Sequence, residues 1–217
     1  MSNQASAVSP FEALDRLVSG NQRFVSGEHT HADRIGESRR KDLSNGQAPF
    51  AAILTCADSR TPPEHIFDAG LGELFVCRNA GNIVDEVILG SIEYSAAHTG
   101  CPLVCVLGHT SCGAVGATLA AARNPESHET HNVDDIIRRI MPAVMATAEG
   151  QTDDKEWTDT AAKKNVVNSC KHFMQRSPLL KDMVLKGRFG VVGAWYDLGS
   201  GTVEILYKTI DPLNVAA

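Results

Sequence analysis

Two short stretches carry the residue types that could do metal chemistry: Cys56-Ala57-Asp58-Ser59-Arg60 and, about fifty residues later, His109-Thr110-Ser111-Cys112-Gly113. A histidine and a cysteine three positions apart, joined by one distant cysteine, supply three donors suited to zinc. Structural zinc sites close with a fourth protein ligand, whereas catalytic sites stop at three and keep one tetrahedral position open. Cys56, His109 and Cys112 therefore read as the ligand set of a catalytic zinc, with an Asp-x-Arg pair attached to its first member.

The elements needed to bring these residues together are visible around them. Phe50 to Thr55 and Leu103 to Gly108 are apolar runs of strand length that read as buried parallel strands. Each would deliver a ligand at its carboxyl end, the edge where open α/β sheets bind ligands. A helix starting at Cys112 would turn its positive end toward that sulfur and favour the thiolate. Two plainer readings compete. A cysteine that ends a strand is more often an inert core thiol, and Gly108, Gly113 and Gly116 crowd a strand-to-helix turn as in a phosphate loop. The phosphate loop requires Lys and then Ser or Thr after its second glycine; Ala114 and Val115 stand there instead.

Composition sets the outer limits. At 217 residues the chain should bury about 70% of its unfolded surface in one domain. With 43% hydrophobic and 21% charged residues it has ordinary globular composition, and no window approaches the roughly 20 apolar residues of a membrane span. The N-terminal residues lack a basic segment followed by an apolar one, so a cytoplasmic location is expected. A net charge of −6, with Arg39-Arg40-Lys41 the longest basic cluster, argues against nucleic-acid binding. Without an export signal, six cysteines suggest metal binding and reduced core thiols; Cys77, Cys101, Cys105 and Cys170 read as structural.

Taken in order, residues 1–9 are small and polar and are expected to be a disordered tail; 10–212 form one domain, and 213–217 a second tail. Ser9 caps a helix with Pro10 in its first turn, and Phe11, Leu14, Leu17 or Val18, Phe24 and Val25 recur at helical spacing. This N-terminal arm covers either its own domain or a partner subunit. His29, His31, His128 and His131 read as solvated loop residues. Further helices are expected over 85–98, from 112 onward, over 133–148 and 157–174, and after Pro178; further strands over 73–78, 189–196 and 202–208, the last two as a hairpin. The fold class is α/β: a mostly parallel central sheet of about four parallel strands plus an antiparallel C-terminal strand, flanked by helices.

The chain resembles the β-class carbonic anhydrases in Cys-x-Asp-Ser-Arg, Pro62-Pro63-Glu64, the run Gly72 to Asn82, Gly90 to Tyr94, Gly-His-x-x-Cys-Gly-Ala and Gly193-Ala-x-Tyr-Asp197. The resemblance implies one Zn²⁺ per chain on Cys56, His109 and Cys112, with water or hydroxide as fourth ligand, and a catalytic pair of Asp58 and Arg60. It implies reversible hydration of CO2 to bicarbonate, a lyase reaction. It assigns Gln47 to a hydrogen bond with substrate, Phe75, Ala80 and Tyr94 to a small apolar CO2 pocket, and Gly113 to a backbone position beside the substrate. In the family these residues come from both chains of a dimer, so a homo-oligomer is expected, dimer or tetramer. Valine is common where Ala80 stands, which would leave the pocket roomier. Some family members close when the aspartate takes the fourth zinc position, and their bicarbonate pocket includes a Trp where Ile53 stands here. Tyr196 does match another residue of that pocket, but Ile53 favours an open site. Two alternatives share the motif: hydrolysis of carbonyl sulfide or carbon disulfide, and a non-catalytic, bicarbonate-responsive module in which Asp58 occupies the metal permanently.

Overall fold

Residues 8–124, 126 and 130–210 are described by a computed structural model of the chain, apart from the side chain of Asp33. His128 and most of both expected tails lie outside the described residues. The apolar runs form five strands: β1 (Ala51–Cys56), β2 (Leu74–Asn79), β3 (Leu103–His109), β4 (Gly190–Tyr196) and β5 (Val203–Lys208). The helices are α1 (Pro10–Ser26), α2 (Glu37–Asp42), α3 (Pro63–Ile66), α4 (Glu86–His98), α5 (Gly113–Arg123), α6 (His131–Met145), α7 (Asp154–Arg176) and α8 (Pro178–Leu185).

The strands lie in the order β2-β1-β3-β4-β5, parallel except for the β4–β5 hairpin. All residues of β1, β3 and β4 are buried, as expected for strands covered on both faces. Alternation divides them between the two faces. Ala52, Leu54, Val104 and Val106 meet Ile88, Ile92, Val166, Phe173 and Leu180 from α4, α7 and α8. On the other face Ala51, Ile53, Leu103 and Leu107 meet Ala13 and Leu17 of α1 and Ile66 and Phe67 around α3. A third apolar cluster sits beyond the strand ends, where α5, α6 and α7 contribute Val115, Leu119, Ile140, Val144 and Ala161. That third layer encloses Cys56 and Cys112.

Chain order reverses direction between β1 and β3: the step from β1 goes outward to β2, and the chain then crosses back to β3 on the other side of β1. Such a reversal leaves a crevice outside the carboxyl ends of the two strands, because their connections leave in opposite directions. Cys56 closes β1 and His109 closes β3, so two of the expected ligands stand at this crevice by topology alone.

The ends of several elements differ from the periodicity. α7 begins at Asp154, three residues before the expected 157, because Asp153 caps it through Glu156 N at 2.8 Å. α6 begins at His131 and ends at Met145, shifted toward the N-terminus from 133–148. The first helix starts as expected, with Ser9 accepting from Glu12 N. Its buried face, however, is Ala13, Leu17, Gly20 and Asn21, and Phe11, Val18 and Val25 remain 46%, 36% and 47% exposed. Asn21 is held inside by bonds to the carbonyls of Ile66 and Gly201 and from Val203 N. Gly20 lies so close to Phe67 that a Cβ would stand 2.0 Å from its carbonyl oxygen. α1 thus packs on its own sheet and still presents an apolar outer stripe.

Candidate metal centre

Cys56, His109 and Cys112 are all buried, and their donor atoms lie within 4.8 Å of one another. β1 and β3 bring the first two side by side. The third arrives by a tight turn: Ser111 takes the left-handed φ of 55°, and its N–H donates to Asp159 Oδ1 at 2.7 Å. Cys112 then stands as N-cap of α5, with Gly113 as the first helical residue. Thr110 fixes the approach, its N–H bonded to Tyr196 O and its hydroxyl accepting from Leu198 N.

His109 shows most directly what the site is built for. Its Nδ1 bonds the carbonyl of Thr110 at 2.9 Å. A carbonyl only accepts, so Nδ1 carries the proton and Nε2 presents a lone pair. That Nε2 is completely buried and has no hydrogen-bond partner. Leaving a buried acceptor unpaired costs about 1–3 kcal/mol, and a backbone bond that orients the opposite ring nitrogen is the usual support of a metal-bound histidine. With two sulfurs adjacent, the residues fit a borderline-soft divalent cation.

The two sulfurs share a hydrogen bond, so they do not lose their protons independently. A hydrogen bond from Cys112 lowers the Cys56 thiol, against its burial, with the Gly81 N–H at 3.4 Å assisting. The same bond raises Cys112, and burial and the Cys56 charge add to it, although the N–H groups of Val115 and Ala114 oppose the shift. The other four cysteines are free and buried. Burial pushes Cys101 and Cys105 up to about 12, as inert core thiols require.

Asp58 and Arg60 form the expected pair in forked geometry: Arg60 Nε donates to Oδ1 at 2.9 Å and Nη2 to Oδ2 at 2.6 Å, with the Arg60 backbone N–H also on Oδ1. The guanidinium holds the Asp58 carboxyl well below the usual carboxylate range, and Asp58 raises Arg60 in return. Arg78, whose role the residue types did not disclose, anchors the loop by donating to the carbonyls of Cys56 and Asp58. Asn165 and Ser169 of α7 hold the carbonyls of Gly81 and Asn82, which places the Gly81 N–H against the Cys56 sulfur. Gly81 has φ 77°, and a Cβ there would meet Ile140 at 2.5 Å. The sequence carries no signal for Asp159 or for these α7 contacts.

The expected substrate residues separate into two groups. Ala80 and Gly113 lie at the carboxyl edge with the metal ligands, next to Asn79, which pairs with Cys56, and next to Cys112. Gln47 precedes β1 and therefore lies at its opposite end from Cys56. Phe75 pairs with Ala52, four residues and about 13 Å along the strand from the Cys56 level. Tyr94 contacts Phe75 with ring centroids 6.5 Å apart and is 53% exposed on α4. One chain does not unite these three with its own metal ligands.

Ligands delivered from the ends of two parallel strands across a sheet reversal, beside a carboxylate–guanidinium pair, define a metal-dependent α/β enzyme. Residues 51–203 match the family model described as Carbonic anhydrase. Carbonic anhydrase 2 of Mycobacterium tuberculosis is 39% identical over 192 residues, covering 88% of this chain and 90% of that protein. The carbonic anhydrase of Mycolicibacterium smegmatis is 37% identical over 196 residues, covering 90% and 93%. Among solved structures, a tetrameric β-carbonic anhydrase of Sordaria macrospora superposes with a TM-score of 0.74 at 25% identity, covering 91% of this chain and 98% of that one. A Coccomyxa β-carbonic anhydrase in complex with acetazolamide gives 0.71 at 26% identity, covering 90% and 87%. The chain belongs to the β-class carbonic anhydrase family. Its activity is the reversible hydration of CO2 to bicarbonate. Among the described residues no helix is long and apolar enough to cross a membrane.

Proposed function

We propose that this carbonic anhydrase works with one Zn²⁺ held by Cys56 Sγ, His109 Nε2 and Cys112 Sγ, in a site that a second copy of the chain completes. The observation that carries the ligand assignment is the buried, unpartnered Nε2 of His109 facing two cysteine sulfurs. Bound there, zinc supplies Lewis acidity that makes water a nucleophile at neutral pH.

The chain's own residues do the rest. Asp58, kept ionised by Arg60, accepts a hydrogen bond from the attacking hydroxide and aims its lone pair at the CO2 carbon, the proton lost when that hydroxide forms from water passing to buffer. Its three bonds to Arg60 also hold it back from the metal, which supports an open site. Ile53 points the same way, being fully buried among apolar neighbours. Gln47 of the partner subunit donates its side-chain amide to a substrate oxygen, and the partner's Phe75 and Tyr94 supply an apolar wall beside Ala80 and Gly113. The reading as a dimer rests on the separation of those residues from the metal ligands within one chain, and on the exposed apolar surface of α4 beside edge strand β2, with Val87 75% exposed. Residues 10–212 act as one catalytic domain.

Stopped-flow CO2 hydration between about pH 6.5 and 9, with metal content measured in parallel, tests the assignment. The expected result is zinc-dependent hydration at neutral and alkaline pH, and none for Cys56→Ala. Full zinc content without hydration at any pH would overturn it. Sedimentation at the assay concentration should show a dimer or larger, and a fully active monomer would remove the shared site.

A further inference from the structure

A second cluster of metal-binding side chains lies outside the catalytic centre, where the loop after α1 meets the end of α3. The donor atoms of His29, His31 and Asp68 lie within 4.8 Å of one another. The His31 ring stands 5.7 Å from that of His29 and 5.1 Å from that of His65, both edge-on. In a tetrahedral imidazole site, with metal–nitrogen bonds of about 2.0–2.1 Å, neighbouring ring centroids are about 5 Å apart. His31 thus stands at nearly that spacing from each of its two neighbours.

Asp68 decides how the cluster would work. Its side chain is fully buried, and Oδ1 accepts from Thr30 N, His31 N and His31 Nδ1 while Oδ2 accepts from Arg23 Nε and Thr30 Oγ1. Burial pushes its carboxyl up, but the bonds from Arg23, Thr30 and His31 outweigh that and hold it well below the usual range. An ionised carboxylate only accepts, so His31 Nδ1 donates to it, and in the neutral ring Nε2 keeps the lone pair. A carboxylate behind one ring nitrogen with the other left open is the arrangement that fixes and strengthens a metal-ligating histidine. With both oxygens occupied and Arg23 and Arg34 beside it, Asp68 serves as the orienting group and not as a ligand. His29 and His65 are exposed, and among the described residues their side chains form ring contacts but no hydrogen bond or ion pair.

We propose that His29, His31 and His65 form a second, non-catalytic site for a divalent late transition-metal ion such as Ni²⁺ or Zn²⁺, with Asp68 positioning His31. Imidazole nitrogens select such ions over Mg²⁺ and Ca²⁺, which require oxygen donors. The bound ion would tie the 29–31 loop to α3 and stabilise the fold by mass action.

Calorimetric titration of the full-length, zinc-loaded protein with Ni²⁺ tests this, with zinc content followed before and after. The expected result is one nickel per chain, unchanged zinc, and a nickel absorption-edge spectrum of nitrogen and oxygen neighbours only. His29→Gln, His31→Gln and His65→Gln should each weaken binding by at least about tenfold, whereas His131→Gln on α6 should not. Circular dichroism of each variant without nickel verifies that it is folded. No nickel binding, sulfur bound to nickel with zinc displaced, or undiminished affinity in any of the three variants would overturn the proposal.

Discussion

The two histidine-bearing clusters use similar donors in opposite settings. At the sheet edge His109 is fully buried, its ligand partners are sulfurs, and each donor stands at the end of a strand or the start of a helix. Near α3 the donors are imidazoles on a loop and a one-turn helix, half open to solvent, with a buried carboxylate behind one of them. The first arrangement buries its donors and holds them on regular elements. The second leaves rings free to adjust, at a cost in ordering whenever an ion binds. Catalysis needs the first kind, because a reacting atom must be held within a fraction of an ångström. An accessory clip tolerates the second.

Mutation can separate the two. Cys56→Ser should have the largest effect, removing zinc from the sheet-edge site and reducing CO2 hydration to background while nickel binding near α3 persists; metal analysis alongside stopped-flow assay reads both. Asp58→Asn should retain zinc and lower kcat/KM at least about a hundredfold, since the side chain keeps its shape and loses the charge that accepts the orienting hydrogen bond. Asp68→Asn should leave the catalytic zinc in place and cost on the order of 3 kcal/mol in denaturant unfolding, because Arg23 and the Thr30 and His31 donors lose a buried anion. The same carboxylate should make wild-type stability depend on acid. Its folded pKa is depressed, so its contribution is present above the unfolded value of about 4 and is lost as pH falls below it. The Asn variant should show a shallower acid slope. The smallest effect is expected for His65→Ala without added metal: an exposed ring that makes no hydrogen bond should change unfolding free energy by less than about 0.5 kcal/mol.

Much of the catalytic edge was legible because strand periodicity and ligand spacing are local signals. Apolar runs ending in Cys56 and His109 place both at strand ends whatever the topology, and Asp58 and Arg60 are close enough in sequence to pair without help. The rest depends on contacts between distant segments. Asn21 lies on the first helix and is a buried clamp between α3 and the β4–β5 loop. Asp68 is a fully buried anion serving Arg23, Thr30 and His31, all more than thirty residues earlier in the chain. His31, read as solvated, is drawn into that network because the partner that organises it is 37 residues away, whereas His29 is exposed as read.

By itself the sequence determined the α/β class, the three candidate metal ligands and the carboxylate–guanidinium pair, since each follows from side-chain chemistry and short-range spacing. The tertiary structure alone decided that β1 lies between β2 and β3, which opens a crevice where Cys56 and His109 meet. It also set Gln47, Phe75 and Tyr94 away from that crevice and gathered three histidines around a buried Asp68. Strand order and long-range burial are properties of the whole packed chain, because they minimise exposed apolar surface and unpaired charge together, and no local window contains them.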